Sequence, residues 1–439
     1  MEFCCYKKIA KILLIGFLLQ VVSPAVCYGA NTLWPSVMVL ENDAVDLDKF
    51  FPENATASDS KKGFFLTGDL KELYTLGVGN VAINVTLSGL GHTFMQTIRG
   101  LKKRGFKITL VLVNDKAPVG IDFSSAPDEY KKPYFYMIDF KASNGDWQKY
   151  NFERVVNDYG EYVDNWIIGN EINSQLYNFY GPSDVNEYTK KYCESFKICY
   201  EKIKQKNKNA NLFISFDQGW DIPSINTKFA GHDKVLSKYR YNAKEQIELI
   251  NHYLGKNIDW GLSLHPYPAP VDSSYFWDDE YAGHKPESVI ENERPYYLTL
   301  KNFEVAINYI RDSKFLNNKG EFRKIIISEF GLTSHDGEME QAAGLYYLWN
   351  KIENIPNIVA FIYNAQTDLE DNYNFGLTSD KKRKRLAWAV FRDMDKDEDT
   401  RAWCKDLLDT ILDKYGYVAI NTVIFTKASA SEIFKYDYK

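Results

Sequence analysis

Eight short apolar, β-branched runs recur along the chain with longer amphipathic segments between them, and few folds can accommodate that rhythm. The runs are VAINVTL (81–87), ITLVLVN (108–114), YFYMIDF (134–140), NWIIGNE (165–171), LFISFD (212–217), WGLSLHPY (260–267), KIIISEFG (324–331) and IVAFIYNA (358–365). Near-continuous hydrophobic runs of this length suit strands buried on both faces of a parallel sheet. Helical patterns such as HTFMQTIRGLKKRG, VNEYTKKYCESFKICYEKIKQKN and PYYLTLKNFEVAINYIRDS intervene. Alternation of strand and helix specifies an α/β fold, and eight units predict a closed (β/α)8 TIM barrel over 79–392. The other arrangement, an open doubly wound sheet, would call for a glycine-rich phosphate loop, and the sequence has none.

The flanks read differently. Residues 30–78 are predicted to be an N-terminal extension packing on the barrel, and 393–439 a short C-terminal extension holding the strand-like YVAINTVIFTKA. In residues 1–29, Lys7, Lys8 and Lys11 precede an apolar run from Ile12 to Val22, followed by small residues up to Ala30. That is the layout of a cleaved secretory signal peptide, and the run is too short for a spanning helix. The expectation is therefore a secreted or periplasmic protein with no membrane span in its mature chain. Its net charge of −6 gives no electrostatic reason to expect nucleic acid as a partner. Cys193, Cys199 and Cys404 lie outside the leading segment; an odd number at these spacings is neither a disulfide framework nor a zinc site, so they are read as packing residues. Nothing in the sequence fixes an oligomeric state.

Polar residues collect at particular strand ends. The fourth run closes with Asn170 and Glu171, the sixth with His265, Pro266 and Tyr267, and the seventh with Glu329. A carboxylate is rarely buried without a partner, so a glutamate ending a buried strand is either paired or used. Strand ends of a barrel project into one cleft, which lets residues distant in sequence meet. Two carboxylates held there suit glycoside hydrolysis, provided that their environments keep one protonated and the other ionised. Tyr267 and His265 are expected to donate to Glu329 and keep it charged, while Glu171, with no cation beside it in sequence, would hold its proton. Aromatic residues make up 15% of the chain, and flat aromatic faces match the C–H faces of pyranose rings. Trp220 and Trp277, on the two longest excursions after strands (218–245 and 268–295), are candidate sugar platforms. Asn84 and Asn114, near the ends of the first two runs, and Tyr363, on the last, are further candidates for binding substrate.

WIIGNE, HPY and IISEFG, in that order at the ends of the fourth, sixth and seventh runs, resemble the motifs of the retaining glycoside hydrolases of clan A, which include cellulases, mannanases, xylanases and galactanases. The resemblance covers the barrel and implies a general acid/base at Glu171 and a nucleophile at Glu329. It also implies a contact from Asn170 to the sugar 2-hydroxyl, and a cleft lined by His265 and Tyr267. Two departures are visible: Asn114 stands where many members have an arginine near strand two, and FIYNAQTD replaces the usual tryptophan of strand eight.

The expected activity is cleavage of a β-linked oligo- or polysaccharide by double displacement, with no metal or organic cofactor. A barrel that binds carbohydrate without turning it over is the alternative from another class. A metal-dependent hydrolase would need clustered histidines, and none of the six forms an H-x-H or H-E-x-x-H pair. DMDKDEDT (393–400) alternates acids as a calcium loop does but has Glu398 where the loop needs glycine. KKRKR (381–385) is read as the solvated start of the last barrel helix.

Overall fold

The computed structural model describes residues 55–66, 70–89, 92–115, 135–174, 177, 182, 184–221, 241–269, 271–277, 297–368, 373–380, 382–420 and 422–427. Eight parallel strands close into a barrel in chain order: β1 (Lys62–Phe65), β2 (Asn80–Thr86), β3 (Lys107–Val113), β4 (Asn165–Ile168), β5 (Asn211–Phe216), β6 (Trp260–Leu264), β7 (Ile325–Phe330) and β8 (Ile358–Tyr363). The ring closes where Gly63 of β1 pairs with Ile362 of β8. A helix follows each strand: α1 (Leu70–Thr75), α2 (His92–Lys103), α3 (Gly145–Tyr159), α4 (Val185–Lys206), α5 (Ala243–Leu254), α6 (Glu304–Ile310), α7 (Glu338–Ile352) and α8 (Leu386–Asp393). The fold is a (β/α)8 TIM barrel. No helix among the described residues is long and apolar enough to cross a membrane; the leading segment 1–29 lies outside them.

Two strand assignments change. β1 is the short KGFF run, inside the stretch read as an N-terminal extension, so the barrel starts at Lys62 rather than near residue 79. Its signal is weak because only Phe64 and Phe65 are apolar, and Gly63 is required by crowding: a Cβ there would sit 2.6 Å from the Asn80 carbonyl oxygen. Conversely, YFYMIDF supplies no barrel strand. Tyr136 N donates to the Asp115 carbonyl (3.3 Å), and over 137–140 the backbone is tied to side chains instead of a ladder: Asn114 donates to the Met137 carbonyl (2.8 Å), while Gln148 accepts from Asp139 N (3.1 Å) and Ser195 from Phe140 N (3.1 Å). Buried backbone groups need a partner, and here side chains serve.

Strand alternation sorts the core into two layers. Ala82, Val111, Ile167, Phe213, Ile326 and Ile362 fill the barrel interior, whereas their neighbours Val81, Leu110, Ile168, Leu212, Ile327 and Phe361 pack outward on the helices. Caps end several helices cleanly. Asp184 accepts from Glu187 N ahead of α4, and Asn242 from Glu245 N ahead of α5.

The charged runs are structural. In the acidic run, Asp393 pairs with Arg392, Asp395 accepts from buried Lys62 (2.6 Å), and Asp397 caps α9 (Glu398–Lys414) through Thr400 N. In the basic run, Arg385 is buried against Asp368 while Lys384 lies over the Trp388 ring at 3.6 Å. A hairpin of β9 (Tyr417–Ile420) and β10 (Val423–Thr426) follows α9. Cys193, Cys199 and Cys404 are buried free thiols.

Candidate active site

β4 stops at Ile168, and the chain turns through two left-handed residues, Gly169 at φ 77° and Glu171 at φ 41°. A non-glycine residue there is uncommon and costs roughly 1–3 kcal/mol, retained where the surroundings demand it. The turn swings Glu171 inward, and its backbone N–H donates to Ser215 Oγ of β5 (3.2 Å). On β7 the pairing with β8 shifts register between Ile327 and Phe330, so Ser328 and Glu329 both reach interior groups. β6 runs on into His265 and Tyr267 between the two glutamates.

Glu171, His265 and Glu329 thus converge, all buried, with one ligand-type atom from each within 4.8 Å of the others. His265 Nδ1 lies 2.9 Å from Glu171 Oε1 and 3.9 Å from Glu329 Oε2. This corrects the expected pairing, since the imidazole bonds Glu171 and not Glu329. Glu329 receives Tyr267 OH on Oε2 and Asn170 Nδ2 on Oε1, each at 3.4 Å. Beneath the ring, Ser328 Oγ is 2.8 Å and Ser215 Oγ 3.3 Å from His265 Nε2, and Ser328 continues to Ser263. These hydrogen bonds account for the arrangement of the three groups. Its compactness would also admit an ion, and no other described cluster of His, Cys, Asp and Glu does so.

Burial sets the electrostatics. Loss of solvent pushes the Glu171 carboxyl up to about 7, against the opposing pull of His265. The same desolvation raises Glu329, offset by the His265 charge and by the donors Tyr267 and Asn170. Burial alone would lower His265, but Glu329 and Glu171 outweigh it and hold the imidazole above its ordinary value. Tyr177, in the segment after β4, is raised by burial and by both glutamates, so it is held as a neutral phenol.

Other candidates fall elsewhere. Trp220 is buried against Tyr309, edge-on at 5.6 Å. Trp277 is buried, with Tyr415 stacked on it at 4.5 Å and Phe276 edge-on at 4.9 Å. Both indoles are almost fully buried in the outer core, which corrects the reading of both as platforms. Tyr363 also points outward, packing on Phe391 and donating to the Phe375 carbonyl (2.9 Å). The next residue, Asn364, reaches in and donates to Tyr267 OH (3.1 Å). Asn114 spends its amide on Met137 O and its oxygen on Asp115 N (2.7 Å), so it braces the loop after β3. Asn84 is buried on the interior face of β2 that carries Ala82. Ser215, Ser263, Ser328 and Tyr177 were missed as site residues, whereas Asn364 belongs to the FIYNAQTD run that offers Tyr363, Asn364 and Gln366 in place of the tryptophan. Strand alternation back from His265 marks Ser263; nothing else singles out the rest.

Comparison with known proteins gives a fold and a family. A family 39 glycoside hydrolase from the gut symbiont Bacteroides cellulosilyticus WH2 superposes with a TM-score of 0.50 at 18% identity, over 76% of this chain and 63% of that one. This chain thus spans under two thirds of that enzyme's length. A family 1 β-glucosidase from Thermotoga maritima (TM-score 0.44, 12% identity, 84% and 93% of the two chains) and a β-glycosidase from Thermosphaera aggregans (0.45, 12%, 76% and 85%) are also similar. The likeness to the family 39 enzyme is one of fold alone, the (β/α)8 barrel. No curated protein matches the sequence. Residues 91–411 match a family of unknown function, DUF5722, and the chain belongs to that family.

Proposed function

We propose that the protein is a retaining glycoside hydrolase cleaving a β-linked oligo- or polysaccharide, with Glu329 as nucleophile and Glu171 as general acid/base. One observation carries this reading: carboxyl oxygens of Glu171 and Glu329 approach within 4.8 Å where β4 and β7 end. Retaining enzymes hold their carboxyl groups about 5–5.5 Å apart, whereas inverting enzymes need roughly 6.5–9.5 Å to admit water. The fold shared with the family 39 enzyme is consistent with it.

In the first step a Glu329 oxygen attacks the anomeric carbon as the glycosidic C–O bond breaks, and the Glu171 proton passes to the leaving oxygen. In the second, water attacks the same carbon, Glu171 takes its proton, and the ester to Glu329 breaks. Burial near pH 7 lets Glu171 serve in both directions. Tyr267 and Asn170 favour the ionised Glu329 needed for attack. Asn170 Oδ1 also accepts from Ser215 Oγ (3.3 Å), which turns the amide nitrogen toward Glu329 Oε1.

Replacing Glu329 by Gln should abolish turnover on every responsive glycoside while circular dichroism stays unchanged. Unimpaired hydrolysis by that variant would remove Glu329 from the mechanism. If the wild-type protein binds oligosaccharides but hydrolyses none, the non-catalytic barrel is correct. We further propose export through the segment 1–29; the N-terminal sequence of protein recovered outside the producing cell tests this.

A further inference from the structure

The sequence after β8 does more than close the barrel. Asp368 and Arg385 form a buried two-pronged ion pair, Oδ1 to Nη1 at 2.7 Å and Oδ2 to Nη2 at 2.5 Å, with side-chain exposures of only 7% and 6%. Both partners also grip Gly376: its N–H donates to Asp368 Oδ1 (2.9 Å), and its carbonyl accepts from Arg385 Nη1 (2.6 Å). No side chain fits at Gly376, where a Cβ would lie 2.3 Å from Asp368 N. Two backbone bonds, Asp368 N to Thr378 O and Arg385 N to Leu377 O, complete the clamp. The strap it fixes, residues 373–378, carries Phe375.

Phe375 leads into the site. Its ring stacks on Tyr267 at 5.8 Å and 30°, while Phe330 of β7 stacks on Tyr267 at 6.4 Å and 29°. Tyr267 is thereby held by two rings whose planes lie within about 30° of its own, and Asn364 holds its hydroxyl from above β8. That hydroxyl is the group that donates to Glu329. Isolated surface pairs contribute little to stability, but a buried, doubly hydrogen-bonded pair tied to backbone fixes geometry.

We propose that the Asp368–Arg385 pair is a positioning device for the Glu329 carboxylate, acting through the ring of Phe375 and the hydroxyl of Tyr267. It deepens the reading of Glu329 as nucleophile and rests on it. Neither member of the pair touches the reacting atoms. The charged or titratable groups facing Glu329 are His265 and Tyr267 from β6 and its extension, and Glu171 and Tyr177 from the segment after β4. Phe375 meets Tyr267, whose hydroxyl reaches Glu329, and also lies against Gly331 just beyond β7.

The test compares Phe375→Leu and Asp368→Asn with Tyr267→Phe. Glutamate labelled with 13C in its carboxyl is titrated by NMR, the Glu329 resonance being assigned by its loss in Glu329→Gln. Removing a donor to the ionised form raises its pKa, so each variant should move the Glu329 titration to higher pH by about 0.5–1 unit. In the Tyr267→Phe background, Phe375→Leu should add nothing, and Phe375→Tyr, which keeps the ring, should titrate as wild type. The acid limb of kcat/KM for an aryl glycoside should move with the NMR value at unchanged KM. A Glu329 titration unmoved in folded Phe375→Leu, or shifts that simply add in the double variant, would overturn the proposal. Absence of hydrolysis by the wild type would instead refute the glycosidase reading, leaving the NMR result to decide this one. If Asp368→Asn does not fold, Phe375→Leu alone decides.

Discussion

Replacing Glu171 by Gln should stabilise the fold at neutral and alkaline pH, and the size of the effect follows from burial. The carboxyl moves from an ordinary 4.5 to about 7 on folding because desolvation penalises its charge. A group with a raised folded pKa binds its proton more tightly when folded. Its contribution to stability is therefore complete below 4.5 and is lost as pH rises through 7. Glutamine stays neutral throughout, with an amide oxygen that can still accept from His265 Nδ1. The two proteins should be equally stable near pH 4. By pH 8 the variant should be ahead by on the order of 3 kcal/mol, the interval between the two pKa values expressed as free energy. Urea unfolding at several pH values, with equal m-values as the check on two-state behaviour, measures the difference. A gap that is absent at pH 8, or constant from pH 4 to 8, would show that Glu171 is not penalised by burial. Its assignment as the proton-holding carboxylate would then lose its physical basis.

Other consequences can be checked separately. Glu171→Gln should slow glycosides with poor leaving groups far more than activated aryl glycosides, since only the former need protonation; equal losses would refute the acid role. His265→Ala removes a donor to ionised Glu171, so the basic limb of kcat/KM should move to higher pH by about 1 unit, given the strength of a hydrogen bond to a charged group; movement to lower pH would contradict the pairing. Trp277→Ala should cost roughly 3–5 kcal/mol of stability by emptying its stack with Tyr415, without changing KM in the folded fraction; a raised KM would restore it as a platform.

The sequence exposed the candidate site's central residues more fully than their surroundings. Asn170, Glu171, His265, Tyr267 and Glu329 follow hydrophobic runs closely enough that a barrel must bring them to one end. Which of them touch was hidden. His265 stands two residues from Tyr267, yet it turns to Glu171 because Ser215 and Ser328 hold its other nitrogen, and serines give no sequence signal of their own. Tyr363 was misread because both faces of IVAFIY are apolar, so alternation cannot tell that Ile362 points in and Tyr363 out. Trp220 and Trp277 show the limit of loop position as a guide, since an aromatic on a long excursion can pack back on the helices. The first strand escaped detection for a simpler reason: four residues, one of them glycine, carry too little hydrophobic pattern to stand out.

The most direct measurement of the double-displacement claim joins product stereochemistry to the site of attachment. A responsive β-glycoside would be followed by proton NMR from the first turnover, and protein incubated with a slow-turnover 2-fluoro analogue digested for mass spectrometry. The account predicts a β-configured first product and a glycosyl ester on the peptide containing Glu329. An α-configured first product, or a sugar attached to any other residue, would contradict it.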